Sequence, residues 1–179
     1  MSPSHRSKRP AYVIDAGTLC RGILAFCRIR AFPAGKTDPA AGLLDVWLEE
    51  DAPTFEWVYS EETLVLYEAV LRRLELSSRF IARVIGTIRQ LGTRAVPPSG
   101  AGVSDGTIEE VFCAAASAVD EAAIVTSDPA GFPQTCGIRT LSPAEAVADM
   151  SVHAGFAERV PGLPPSAAAG GPTVQGWST

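Results

Sequence analysis

Two short apolar runs, each ending on an acid, constrain this chain more than any other feature. "AYVID", from Ala11 to Asp15, is apolar and partly β-branched and stops on a carboxylate; "AAIVTSD" carries Ile124 and Val125 through Thr126 and Ser127 to Asp128. Continuous apolar runs of this length suit strands buried on both faces, which is the situation in a parallel sheet. Parallel neighbours cannot be joined by a hairpin and need a long crossover, usually a helix. The residues between the two runs must therefore supply helices, and each strand must deliver its acid to the end where crossovers begin.

The intervening sequence meets that demand. "AGTLCRGILAFCRIR" reads as a helix, and "PAAGLLDVWLEEDAP" places Leu43, Leu44, Trp47 and Leu48 at helical spacing before Pro53 closes it. "TFEWVYS" alternates and predicts a strand. "SEETLVLYEAVLRRLELS" opens on Ser60 as N-cap, with Glu61 and Glu62 suited to the positive end of the helix dipole. A further helix in "SRFIARVIGTIRQL" breaks at Gly92 before a short strand in "RAV". "SDGTIEEVFCAAASAVDE" reads as a helix opening with a capping box, Thr107 with Glu110 three residues later. "CGIRTLSP" gives a last short strand and "PAEAVADM" a last helix with Pro143 in its first turn. Strands separated by helices predict right-handed crossovers and a three-layer α/β/α sandwich with a central, mainly parallel sheet. In such a sheet ligands sit at the carboxyl ends of the strands, where Asp15 and Asp128 fall.

At 179 residues, 46% hydrophobic and 20% charged, the chain suits one globular domain. The expected organisation is a basic N-terminal arm over 1–10, a domain over 11–150, and a Pro/Gly/Ala-rich tail over 151–179. No apolar run approaches the ~18 residues of a membrane span, and the apolar stretch after the basic start is too short for a secretory signal. A cytoplasmic location with no membrane partner is the expectation. Cys20, Cys27, Cys113 and Cys136 include no CxxC pair, and His5 and His153 are the only histidines, which argues against zinc and for reduced thiols packed as small apolar groups.

The net charge of −5 is unevenly spread: residues 1–36 hold seven Lys or Arg against the single acid Asp15. Cations beside an acidic site are what an enzyme acting on a phosphate backbone could use, since the former attract the substrate and the latter hold a metal. A solvated basic arm is the alternative. Phosphate-loop and dinucleotide chemistry are excluded, because "DAGTLCRG" after the first strand is no Gly-rich phosphate loop. "GAGVSDG" (100–106) follows Pro97 and Pro98 and reads as a loop. A serine-hydrolase reading lacks both GxSxG and a suitably placed histidine. What remains is carboxylate chemistry. Several acids around one strand-end cavity can hold Mg2+ or Mn2+ and activate water against a phosphodiester, and Asp15, Asp128 and the helix-start Glu109 are the candidates, each with a competing role as a turn or capping residue.

In "YVIDAGTL", "WVYSEETLVLYEAVLRRLEL", "SDGTIEEVFCAAASAVDEAAIVTSD" and "GIRTLSPAEAV", taken in that order and spacing, the chain resembles the PIN-domain family over roughly 11–150, in particular the group related to toxins of bacterial toxin/antitoxin pairs. That resemblance implies an α/β/α domain whose clustered acids bind Mg2+ or Mn2+ and cleave RNA, with a small antitoxin protein or a second copy of the chain as partners. By position, Asp15 matches the first family acid and Asp128 the last. Glu109 stands where an Asp is usual, and Asp105 is the nearby substitute. Two positions depart from the pattern. Gly17 replaces an Asn and makes no side-chain hydrogen bond, and Leu66 stands at the usual Glu position. Glu68 points about 200° round the helix from Leu66, and Glu62 lies one turn earlier on nearly the same face. Two outcomes follow: a metal-dependent ribonuclease with a reduced acid set, or a degenerate PIN domain that binds RNA or protein without cutting. Trp47 and Val65 are candidate partner contacts, Trp47 being also a natural core residue.

Overall fold

The computed structural model describes residues 9–31, 38–49, 54–97, 107–132 and 137–153. The chain runs β1 (Ala11–Ile14), α1 (Ala16–Ala31), α2 (Pro39–Glu49), β2 (Glu56–Tyr59), α3 (Glu61–Arg73), α4 (Ser78–Leu91), β3 (Thr93–Arg94), α5 (Ile108–Ser117), β4 (Ala123–Val125), a 3-10 turn (Pro129–Gly131), β5 (Thr140–Leu141) and α6 (Pro143–His153). The expected order of elements is met throughout.

Local chemistry explains their ends. Ser60 caps α3, its hydroxyl accepting from Thr63 N while Thr63 Oγ1 accepts from Ser60 N. Thr107 and Glu110 form the expected reciprocal box on α5. Several boundaries move. Helix α5 stops at Ser117, short of "AVDE", and β4 is confined to Ala123–Val125 within "AAIVTSD". The third strand is Thr93–Arg94 rather than "RAV", because α4 ends at Gly92 and Thr93 falls at once into register with Val58; Ala95 contributes one more bond, N–H to Tyr59 O at 2.7 Å. The last helix continues past residue 150 to His153. The tail lies outside the described residues from residue 154 on.

The five strands form one all-parallel sheet in the order β3-β2-β1-β4-β5. Helices flank it, α2 packing on α6 and α3 on α5, and the result is a three-layer α/β/α sandwich. The chain first builds outward from β1 through β2 to β3, then returns across β1 to lay β4 and β5 on its other side. The order therefore reverses between β1 and β4, and in open parallel sheets the crevice at such a reversal is where ligands bind, beyond the carboxyl ends of the strands.

The core is centred on β1, whose four residues are buried. An aromatic series runs through it: Trp47 to Trp57 (4.7 Å between ring centroids), Trp57 to Tyr67 (6.3 Å), Tyr67 to Phe112 (5.9 Å) and Phe112 to Phe132 (6.4 Å). Trp47 thus belongs to the core and offers no partner contact, whereas Val65 is exposed. Tyr12 ties β1 to α6 by donating to Asp149 Oδ2 at 2.6 Å, and Asp149 also pairs with Arg139. Burial, reinforced by Asp149, pushes the Tyr12 phenol well above its ordinary range. Cys20 and Cys113 form no disulfide.

Helices α1 and α2 cross at Gly22. A methyl there would lie 2.7 Å from the Ala40 carbonyl oxygen and 2.9 Å from Leu44 Cδ1, whereas one on Gly86, inside α4, would meet nothing within 4 Å. Gly22→Ala is expected to destabilise the fold by about 1–3 kcal/mol through overpacking against backbone that cannot yield. Gly86→Ala is expected to stabilise it by about 0.4–1 kcal/mol through the unfolded chain. Urea midpoints for the two variants should move in opposite directions.

Candidate functional site

At the reversal point the two acid-ending strands lie side by side. The β1–β4 ladder pairs Ile14 with Val125 and continues one bond further, from Asp15 N to Val125 O at 2.9 Å. The backbone then leaves the sheet and turns into α1. Asp15 is the residue before the helix, and its carboxylate serves the orphan amides of the first turn: Oδ1 accepts from Gly17 N at 2.5 Å and from Thr18 N at 3.1 Å. Oδ2 accepts from Thr18 Oγ1 at 2.9 Å. An ionised carboxylate offers about four lone-pair positions, so these three bonds leave one, on Oδ2.

Thr18, buried at 1% exposure, also reaches across to the exit of β4. Its Oγ1 accepts from Ser127 N at 2.9 Å and lies 3.2 Å from Ser127 Oγ. Beyond it, Asp128 N donates to the buried Thr126 Oγ1 at 3.0 Å, and Thr126 N continues the β4–β5 pairing to Leu141 O at 2.8 Å. The Asp128 carboxylate is exposed and, among the described residues, accepts no side-chain hydrogen bond; the Pro129–Gly131 turn passes beneath it. Asp128 is thus the free acid of the pair and Asp15 the fixed one.

Glu109 comes from the first turn of α5, which descends from the carboxyl edge to begin β4, so it stands at the same end of the sheet. Its neighbour Glu110 is spent on the capping box, accepting from Thr107 N at 3.0 Å, and Glu109 is half-buried. Asp105 lies outside the described residues. The structure therefore brings Asp15 and Asp128 to adjacent strand ends and Glu109 to the same edge. Among the described residues it assembles no group of three or more His, Cys, Asp or Glu side chains into a metal-holding cluster.

Leu66 and Gly17 have distinct surroundings. Leu66 is half-buried against the core, Glu68 is paired with Arg72 at 2.5 Å, and Glu62, one turn earlier, is exposed. Gly17 lies so close to Asp15 Oδ1 that an added methyl would sit 3.1 Å from it. The neighbouring Thr18 supplies a side-chain hydrogen bond to Asp15 Oδ2. Underneath, the buried Tyr67 hydroxyl donates to the carbonyl of Ile14, fixing the peptide that leads into Asp15. Burial raises the Tyr67 phenol, and the charge of Asp15 acts in the same direction; the Cys20 thiol is raised by the same two causes in the same order.

Two cations of the basic N-terminal stretch have defined surroundings. Arg21 is bound to Asp38 at 2.8 Å. Burial works against the Asp38 charge, yet Arg21 and the Ala40 amide outweigh it and hold that carboxyl below its usual range. Arg9 lines a cavity of about 660 Å3 beside Ala11 and Ala122, at the amino ends of β1 and β4, the far side of the sheet from Asp15.

Sequence reading missed Thr18 and Ser127. The signal for Thr18 was present as a helix-capping pattern, a hydroxyl three residues after the N-cap acid; nothing local announces that the same hydroxyl meets Ser127.

Fold and edge together place the chain in the class of open, all-parallel, doubly wound α/β proteins with acids at the strand-order reversal. No family model, curated protein or solved structure matches it. Among the described residues no helix is long and apolar enough to cross a membrane.

Proposed function

We propose that this chain is a PIN-type, Mg2+- or Mn2+-dependent endoribonuclease, acting as the toxin of a toxin/antitoxin pair. The observation that carries the reading is the delivery of Asp15 and Asp128 by neighbouring strands to the one crevice that the topology reserves for ligands. The donor chemistry fits the metal. Mg2+ takes hard oxygen ligands, keeps several waters, and is commonly held by one or two carboxylates together with substrate phosphate. Asp15 offers one remaining lone pair of Oδ2, and Asp128 an uncommitted carboxylate. A bound ion would supply a Lewis acid and an activated water.

The protein's own part is positional. Gly17 and Thr18 hold Asp15 in one orientation, Tyr67 fixes the peptide before it, and Asp128 turns a free charge toward solvent at the rim; Glu109 stands at the same edge without joining them in a three-carboxylate group. On this reading the partners are an RNA substrate, a small antitoxin protein and, through the exposed helix faces, a second copy of the chain.

Leu66 favours a second reading. A core leucine at an acid position, with no described three-acid cluster, is what a PIN domain that binds RNA or protein without cutting would retain.

Cleavage of a mixed single-stranded RNA pool with added Mn2+ or Mg2+ separates the two. The ribonuclease reading expects cutting that requires the metal and is lost in Asp15→Asn and Asp128→Asn. Absence of both cutting and metal binding by the folded protein would establish the binding module.

A further inference from the structure

The strand ends carry a second device besides their acids. Thr18 Oγ1 has one proton and two lone pairs, and all three are used. The proton goes to Asp15 Oδ2 at 2.9 Å, and one lone pair accepts from Ser127 N at 2.9 Å. The contact with Ser127 Oγ at 3.2 Å must then be a bond that Ser127 donates. The polarity of the chain is fixed as Ser127 to Thr18 to Asp15. It runs from the exit of β4, next to Asp128, to the carboxylate at the exit of β1.

The hydroxyl is buried, so it has no water to turn to. A saturated buried hydroxyl of this kind holds its partners in one arrangement, because any rotation leaves a polar group unpaired. No other side chain among the described residues hydrogen-bonds both strand exits. Tyr67 holds Ile14 alone, and Thr126 holds Asp128 N alone.

Building on the metal-site reading above, we infer that Thr18 is the positioning residue of the site. Its hydroxyl orients the Asp15 carboxylate, so that the one free lone pair of Oδ2 faces outward, and sets the spacing between the two acids. Its role is that of an outer-shell partner, which fixes the direction of a ligand without touching the ion. Removal of such partners commonly lowers metal affinity by about 10–100-fold.

Thr18→Val tests this, because valine keeps the shape and removes the hydroxyl. Mn2+ binding is measured by calorimetry and by the loss of free-ion paramagnetic resonance signal, and exchange of the Ser127 amide is followed by NMR. The expected result is a valine variant that binds Mn2+ about 10–100-fold more weakly and exchanges the Ser127 amide faster. Thr18→Ser, which restores the hydroxyl, should return both toward the intact protein. If valine leaves the protein unfolded by circular dichroism, Thr18→Ala against Thr18→Ser carries the same comparison. Equal Mn2+ affinity in the valine and intact proteins overturns the positioning role and leaves the metal site standing. An intact, folded protein that binds no Mn2+ overturns the metal reading itself, and the inference with it.

Discussion

Asp15→Asn and Asp128→Asn should both abolish metal-dependent RNA cleavage, yet only changes at Asp15 should be felt by the fold. The loss of activity in each is expected to exceed about 100-fold, the upper end of what losing even an outer-shell partner costs, because each variant removes a charged oxygen donor. Stability separates the two positions. Asp15 caps α1 through Gly17 N and Thr18 N, so Asp15→Ala should cost about 1 kcal/mol, while Asp15→Asn keeps an acceptor for those amides and should cost less. Asp128 has an exposed carboxylate with no described partner, and its alanine variant should lie within about 0.5 kcal/mol of the intact protein. Denaturant midpoints measured beside the cleavage assay check this. If Asp128→Ala unfolded as readily as a cap deletion, Asp128 would be a structural turn residue and its assignment to the site would fall.

Trp57→Ala carries the largest expected effect on stability. Trp57 is 1% exposed, stands opposite Tyr12 across the β1–β2 ladder, and touches rings contributed by α2, α3 and the approach to β2. Removing it breaks the aromatic series between Trp47 and Tyr67 and leaves a cavity that Trp47, Phe55 and Tyr67 must share. Such truncations cost about 3–5 kcal/mol, a large part of the roughly 5–15 kcal/mol that a domain commands. Trp57→Phe should lose clearly less, since a ring still meets Trp47 and Tyr67. Guanidinium unfolding should show the midpoint falling with little change in slope. A loss under about 1 kcal/mol in the alanine variant would mean that the series does not act as one packed unit.

The centre of the sheet was readable because its two central strands, Ala11–Ile14 and Ala123–Val125, are written as short apolar runs that lead to an acid. The helices followed from spacing and caps, Ser60 and Thr107 above all. Errors fell where pairing, not pattern, decides: Thr93 joins the sheet because Val58 stands opposite, and nothing in "GTRAV" records that. At the site, the acids could be read one by one, but the link between them could not. Likewise Arg9 belongs to a basic stretch near Asp15 in sequence, yet the strand between them carries it to the opposite end of the sheet.

The reversal of strand order also governs when the site comes into being. β1 is made first and waits between its neighbours; β2 can join it early, but β4 must travel back across most of the chain, and the Thr18–Ser127 bond closes over 109 residues. Contacts of that separation form slowly, because chain entropy is lost before they repay it. During synthesis, at about 5–20 residues per second, Asp15 is exposed seconds before Asp128 exists. A half-made chain therefore holds one acid and no crevice, and whatever chemistry this edge carries out is withheld until the last strands have been laid down.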